Sequence, residues 1–207
     1  MQVNHELIVE PIGLDVEKLP RPMNFAELFG NDHPVEIEIG IGKGTFITEQ
    51  AKARPEVNFL GIEWARWFWR YSSDRLRRNK CENARTVRAE AMYFLTEFVP
   101  AESISVLHIY FPDPWPKKRH RKRRLVNREF VEFLMDYMVP GADFYFATDF
   151  VDYGEDVAQM LPEVTALENM FAPDQYRHDF PGYHLSKYMR KFMAEGKSIY
   201  FVHYKVK

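Results

Sequence analysis

Apolar positions along the chain recur at two spacings, every second residue and every third to fourth, and the two alternate. "VEIEIG" at 35–40 alternates and is β-branched, which predicts a strand. "KGTFITEQAKARP" behind it reads as a helix ended by Pro55. The pair repeats as a strand at 57–63 with a long helix over 64–80, then a strand at 84–90 with a short helix at 92–98. "SISVLHIYF" at 103–111 is a near-continuous apolar run, as expected of a strand buried on both faces. A helix over 125–138, a strand at 142–149, a helix at 151–161 and late strands near 163–170 and 198–206 complete the series.

Five alternations of strand and helix predict an α/β fold in three layers, a mostly parallel seven-stranded sheet between helices with right-handed crossovers. Residues 1–34, rich in Pro, Asn and Asp, show no period beyond a helical turn at Asn24–Phe29 and read as an N-terminal extension. Residues 35–207 read as the domain. In such a sheet ligands bind beyond the carboxyl ends of the strands. Glu38 with Gly40, Glu63, Glu90, Asp113 and Asp149 each sit at such an end, so they are expected to converge on one crevice.

Composition narrows the class. With 207 residues, 46% apolar and 28% charged, the chain has the make-up of an ordinary soluble globular protein. Cys81 is the only cysteine, which excludes an intrachain disulfide, and no Cys/His spacing resembles a zinc site, so no metal is expected. The start lacks a basic segment leading into a long apolar run, and no apolar stretch approaches a membrane span; the expected location is the cytoplasm. A net charge of -2 does not suggest nucleic acid, but its distribution does. "FPDPWPKKRHRKRRL" at 111–125 places seven Lys/Arg within 117–124, a localised positive face beside a proline-stiffened Asp-Pro-Trp.

Two constellations carry chemistry. In "EIGIGKG", Gly40, Gly42 and Gly44 form a turn between strand and helix where a ligand can press against bare backbone and meet unpaired N–H groups. Glu63 ends the next strand, where a carboxylate can accept from ribose hydroxyls. The third glycine comes one residue too early for the dinucleotide fingerprint, and Glu38 would repel a pyrophosphate. A cationic sulfonium or α-amino group suits it, which favours S-adenosyl-L-methionine over NAD, with Glu90 towards the adenine. In the second constellation, three prolines hold Asp113 rigid, Trp115 offers a flat face, and the following cations would repel one another without a polyanion. The Hoogsteen ring nitrogen of guanine has a free lone pair and no proton, so its methylation needs alignment and charge stabilisation rather than a general base. Asp113 suits that role.

These residues together resemble the bacterial tRNA (guanine-N7-)-methyltransferase family, from about residue 35 to the C-terminus. "EIGIGKG", "GIE", the contiguous "FPDPWPKKRHRKRRL" and "ATD" ending the fifth strand carry the likeness. The resemblance implies a Rossmann-like S-adenosylmethionine-dependent methyltransferase fold and methyl transfer to guanine N7 in the tRNA variable loop. Glu38, Gly40, Glu63, Glu90 and Asp113 would line the cofactor site, and Lys117 and Asp149 would contact the substrate. Asp149 also reads as a helix N-cap. The family has a Thr-x-Tyr/Phe-Glu segment before its last strand; here it is Ser186, Lys187, Tyr188 and Met189, and methionine cannot accept from the guanine N–H groups. Expected partners are tRNA, with no membrane and no obligatory protein, in a monomer or homodimer. Other readings stay open: an S-adenosylmethionine-dependent methyltransferase acting on another RNA base or a small molecule, and a non-catalytic RNA-binding module.

Overall fold

The computed structural model describes residues 6–179, 194–196 and 198–207. The chain forms two compact units, residues 1–99 and 100–207. In the first, β1 (Gly13–Leu14), α1 (Phe25–Phe29), β2 (Val35–Ile39), α2 (Thr45–Ala53), β3 (Asn58–Ile62), α3 (Arg66–Arg78), β4 (Ala84–Val87) and α4 (Ala91–Phe98) follow in order. Strands lie side by side as β1-β4-β3-β2, every pair parallel. Ile47 and Ala51 of α2, Phe59 of β3 and Leu76 of α3 close a core with Ile12, Cys81 and Ala84. The Ile, Leu and Phe side chains among them are worth roughly 1.5–3 kcal/mol each when fully buried.

The alternation in "VEIEIG" does not mark a solvent face, because all five β2 residues are buried. Glu36 instead meets the Arg54 guanidinium through two hydrogen bonds, at 2.6 and 2.7 Å. Glu38, two residues on, faces the carboxyl edge. β1 is an eighth strand beyond the seven expected; two residues are too few to show a period. It lies within the extension, parallel to β4, with Gly13 opposite Thr86.

The second unit holds β5 (Ile104–Tyr110), a 3-10 segment at Lys118–Arg123, α5 (Arg128–Leu134), β6 (Met138–Thr148), α6 (Val151–Met160), β7 (Leu167–Asn169) and β8 (Tyr200–Val206). Its strand order is β5-β6-β8-β7. β5 and β6 are parallel, and β8 runs antiparallel to β6 and β7. The helix expected over 125–138 stops early. The Glu102 and Ser103 amides take the carbonyls of Asp136 and Tyr137, at 3.1 and 2.8 Å, and draw that backbone into the sheet. A register shift between Ile104 and Val106 absorbs Pro140 and Gly141 within β6. Gly154 on α6 lies so close to β8 that a Cβ there would sit 2.4 Å from the Tyr200 ring.

Candidate active site

Glycine serves two purposes in the turn after β2. Gly40 and Gly42 have φ of +80° and +51°, and a Cβ on either would meet nothing within 4 Å. Gly44, at φ +65°, would place a Cβ 2.7 Å from that of Ser72 on α3. The first two leave bare backbone beside open space, whereas the third lets two helices approach.

Three carboxylates share the carboxyl edge of this unit's sheet with the turn. Glu63 holds the turn in place: the Gly42 N–H donates to its Oε2 at 2.9 Å and the Ala65 N–H to its Oε1 at 2.8 Å. Further lone pairs remain for other donors. Glu90 is exposed and caps α4, accepting from the Met92 and Tyr93 amides at 3.1 and 2.8 Å. Glu38 is 6% exposed, and its Oε2 has no hydrogen-bond partner among the described residues. Burial pushes its pKa up from 4.5 to about 8, opposed by the Ile47 amide and reinforced by the negative charge of Glu63. A buried carboxyl with one oxygen unmatched is costly unless a donor or cation arrives.

The second unit presents Asp113 and Asp149. Tyr110 pairs with Ala147, and the Phe111 amide donates to the Ala147 carbonyl at 2.8 Å, so both acids leave the same edge from adjacent strands. Phe111 and Trp115 have φ of +51° and +44°, a left-handed conformation that bulky side chains rarely adopt. The loop between them thus stores strain around Asp113. That side chain is exposed and makes no hydrogen bond or ion pair among the described residues. The cap position of α6 falls on Phe150 rather than Asp149.

What holds the strained loop is the last residue of the basic run. Arg124 is 4% exposed. Its Nε donates to the Pro114 carbonyl at 3.0 Å, its Nη2 meets Asp152 at 2.6 Å and its Nη1 meets Asp156 at 2.5 Å. The guanidinium also lies over the Tyr153 ring, 4.7 Å from its centre. Arg121 pairs with Asp152 as well. The seven-cation face expected from the sequence therefore loses Arg124 to the interior and shares Arg121 with α6. Lys117, Lys118, Arg119, Lys122 and Arg123 remain exposed, and Arg123 lies 4.9 Å over the Trp115 ring. By spacing alone Arg124 counts as one more phosphate contact, because spacing cannot tell a buried arginine from an exposed one. Trp64, which no motif singles out, directly follows Glu63 and is 66% exposed. Ser186, Lys187, Tyr188 and Met189 lie outside the described residues.

A family profile described as "Putative methyltransferase" matches residues 32–202. A curated tRNA (guanine-N(7)-)-methyltransferase of Geobacter metallireducens is 52% identical over 198 residues, covering 96% of this chain and 94% of its own length. The chain belongs to that family. A second member, from Syntrophotalea carbinolica, is 42% identical over 96% of this chain and 85% of its own. Among solved structures, a 16S rRNA methyltransferase matches with a TM-score of 0.61 at 14% identity, covering 88% of this chain and 92% of its own. A 30S ribosomal methyltransferase from an uncultured bacterium matches at 0.57 and 15% identity, with the same coverage. At such identities the likeness is one of fold alone. The fold is Rossmann-like, as expected, and the protein is a methyltransferase.

Proposed function

We propose that this enzyme transfers a methyl group from S-adenosyl-L-methionine to N7 of a guanine in the variable loop of tRNA. The observation that carries the proposal is the loop at 111–116: a strained, proline-stiffened segment that offers the exposed carboxylate of Asp113, unpaired among the described residues, just ahead of five exposed cations. Family membership and the 52% identical tRNA methyltransferase support it.

The glycine turn fits the cofactor. The unmatched oxygen of Glu38 suits a cationic group, and the open backbone at Gly40 and Gly42 leaves room for a ligand. Glu38, Gly40, Glu63, Glu90 and Asp113 would hold the cofactor, with Trp64 offering a flat apolar face beside Glu63. When bound, it supplies a methyl carbon on positively charged sulfur. Asp113 orients the purine and offsets the positive charge that N7 acquires, while no residue has to remove a proton first. Lys117 and the exposed cations after it take phosphates, and Asp149 contacts the base. Ser186, Lys187, Tyr188 and Met189 complete the substrate side; because Met189 cannot accept from the guanine N–H groups, that task falls to Asp149.

Residues 1–34 serve as an extension of the catalytic domain at 35–207, and the enzyme works in the cytosol as a monomer or homodimer without an obligatory protein partner. Among the described residues, no helix is long and apolar enough to cross a membrane. Incubation with labelled S-adenosylmethionine and unmodified tRNA, followed by nucleoside analysis, is expected to yield 7-methylguanosine. Asp113→Ala should slow the reaction by about a hundredfold or more. A different methylated nucleoside overturns the substrate; wild-type rates in the variant overturn the role of Asp113.

A further inference from the structure

Helix α3 carries two side-chain stripes that the cofactor site leaves unused. Trp67 is 55% exposed and Phe68 37%. Trp67 stacks on Tyr71 one turn along, with ring centres 5.2 Å apart and planes 20° apart, and meets Phe68 edge-on at 5.1 Å. Arg66 and Arg70 form the adjoining stripe, each one residue ahead of an aromatic. Arg66 is exposed and has no partner among the described residues; Arg70 donates to the Leu7 carbonyl at 3.4 Å. The single acid of α3, Asp74, is buried and already paired with Arg77 and Arg78, at 2.8 Å each. No carboxylate on the helix neutralises Arg66 or Arg70.

Single exposed aromatics are ordinary, but a stacked pair with a third ring, flanked by two unneutralised guanidinium groups, matches a polyanion that carries flat rings. We infer that this face stacks unpaired nucleotides of the RNA substrate, an assignment that rests on the RNA-modifying function proposed above. Every base has a π-face, so an indole can hold it whatever the sequence, while Arg66 and Arg70 take the flanking phosphates. A second copy of the chain is a poor occupant, since a two-fold axis through the patch would set these arginines against their own kind. Trp64, offered above as a face for the cofactor, is left out of this assignment.

The test measures binding of an unmodified tRNA transcript across a salt series for the wild type, Trp67→Ala, Trp67→Phe and Arg66→Ala. S-adenosylmethionine affinity is measured for each protein, and methyl transfer to tRNA for the wild type. Trp67→Ala should weaken tRNA binding about five- to a hundredfold with the salt slope unchanged, and Trp67→Phe should recover most of it. Arg66→Ala should lower the slope by about 0.7–0.9. Cofactor affinity should stay at wild type throughout. Unchanged tRNA affinity in Trp67→Ala overturns the inference. So does loss of cofactor affinity in that variant. If the wild type leaves tRNA unmethylated, the proposed function fails; if it methylates tRNA while Trp67→Ala binds as well as the wild type, only this inference fails.

Discussion

Glu38→Gln replaces a buried acid by its near-isosteric neutral amide. Burial holds the Glu38 pKa at about 8 in the folded chain, against 4.5 when exposed. Between those two values the folded state keeps a proton that the unfolded state has released. Stability therefore falls as pH rises across that window, because the folded state binds more protons there. Each pKa unit is worth about 1.4 kcal/mol, so the loss approaches ~5 kcal/mol by the time Glu38 is ionised. Glutamine does not titrate. Urea unfolding of both proteins from pH 5 to pH 9 should thus show the wild type losing stability relative to the variant, steeply up to about pH 8 and little beyond. The same proton reports on the cofactor. At pH 7 Glu38 must release it to meet a cationic group, so calorimetry in buffers of different ionisation enthalpy should find close to one proton released per S-adenosylmethionine bound. The variant should release none and bind at least tenfold more weakly, on the order expected of a charged hydrogen bond. Parallel stability profiles for the two proteins, or wild-type binding with no proton released, would refute the reasoning.

Two further contrasts separate scaffold from site. Arg124→Ala should lower stability by about 2–3 kcal/mol and reduce methyl transfer with little change in the salt slope of tRNA binding, because it frees the Pro114 carbonyl and the loop around Asp113. Replacing Lys117, Lys118, Arg119 and Lys122 together by Ala should do the reverse: near-wild-type unfolding, and a log–log salt slope flatter by up to about 3. In the glycine turn, Gly44→Ala should lower the urea midpoint markedly, since its Cβ would meet Ser72. Gly42→Ala meets open space, so it should cost only about 1–2 kcal/mol from its positive φ, yet impair cofactor binding in a direct titration.

The order of elements was readable because strand and helix have different periods and each must bury one face; β2 to α4 fall within a few residues of where spacing puts them. Boundaries set by long-range hydrogen bonds were not. α5 stops at Leu134 because the 102–104 amides take the carbonyls of Asp136 and Tyr137 just beyond it, and β1 exists only because β4 is there to pair with it. The places of the candidate acids were legible where a motif forces them to a strand end, as with Glu38, Glu63, Asp113 and Asp149.

Residue type and spacing therefore determined the fold class, the glycine turn, the acids at the strand ends and the presence of a cationic segment. Tertiary structure decided how each of those groups is used. It buried Arg124 beneath the Asp113 loop while leaving its neighbours in water, gave Gly44 to helix packing and Gly42 to open space, and left one oxygen of Glu38 unmatched among the described residues. The physical reason is that solvation, ionisation and hydrogen-bond satisfaction depend on which groups distant in the chain come to surround a residue. Local sequence sets only which face of its own element that residue occupies.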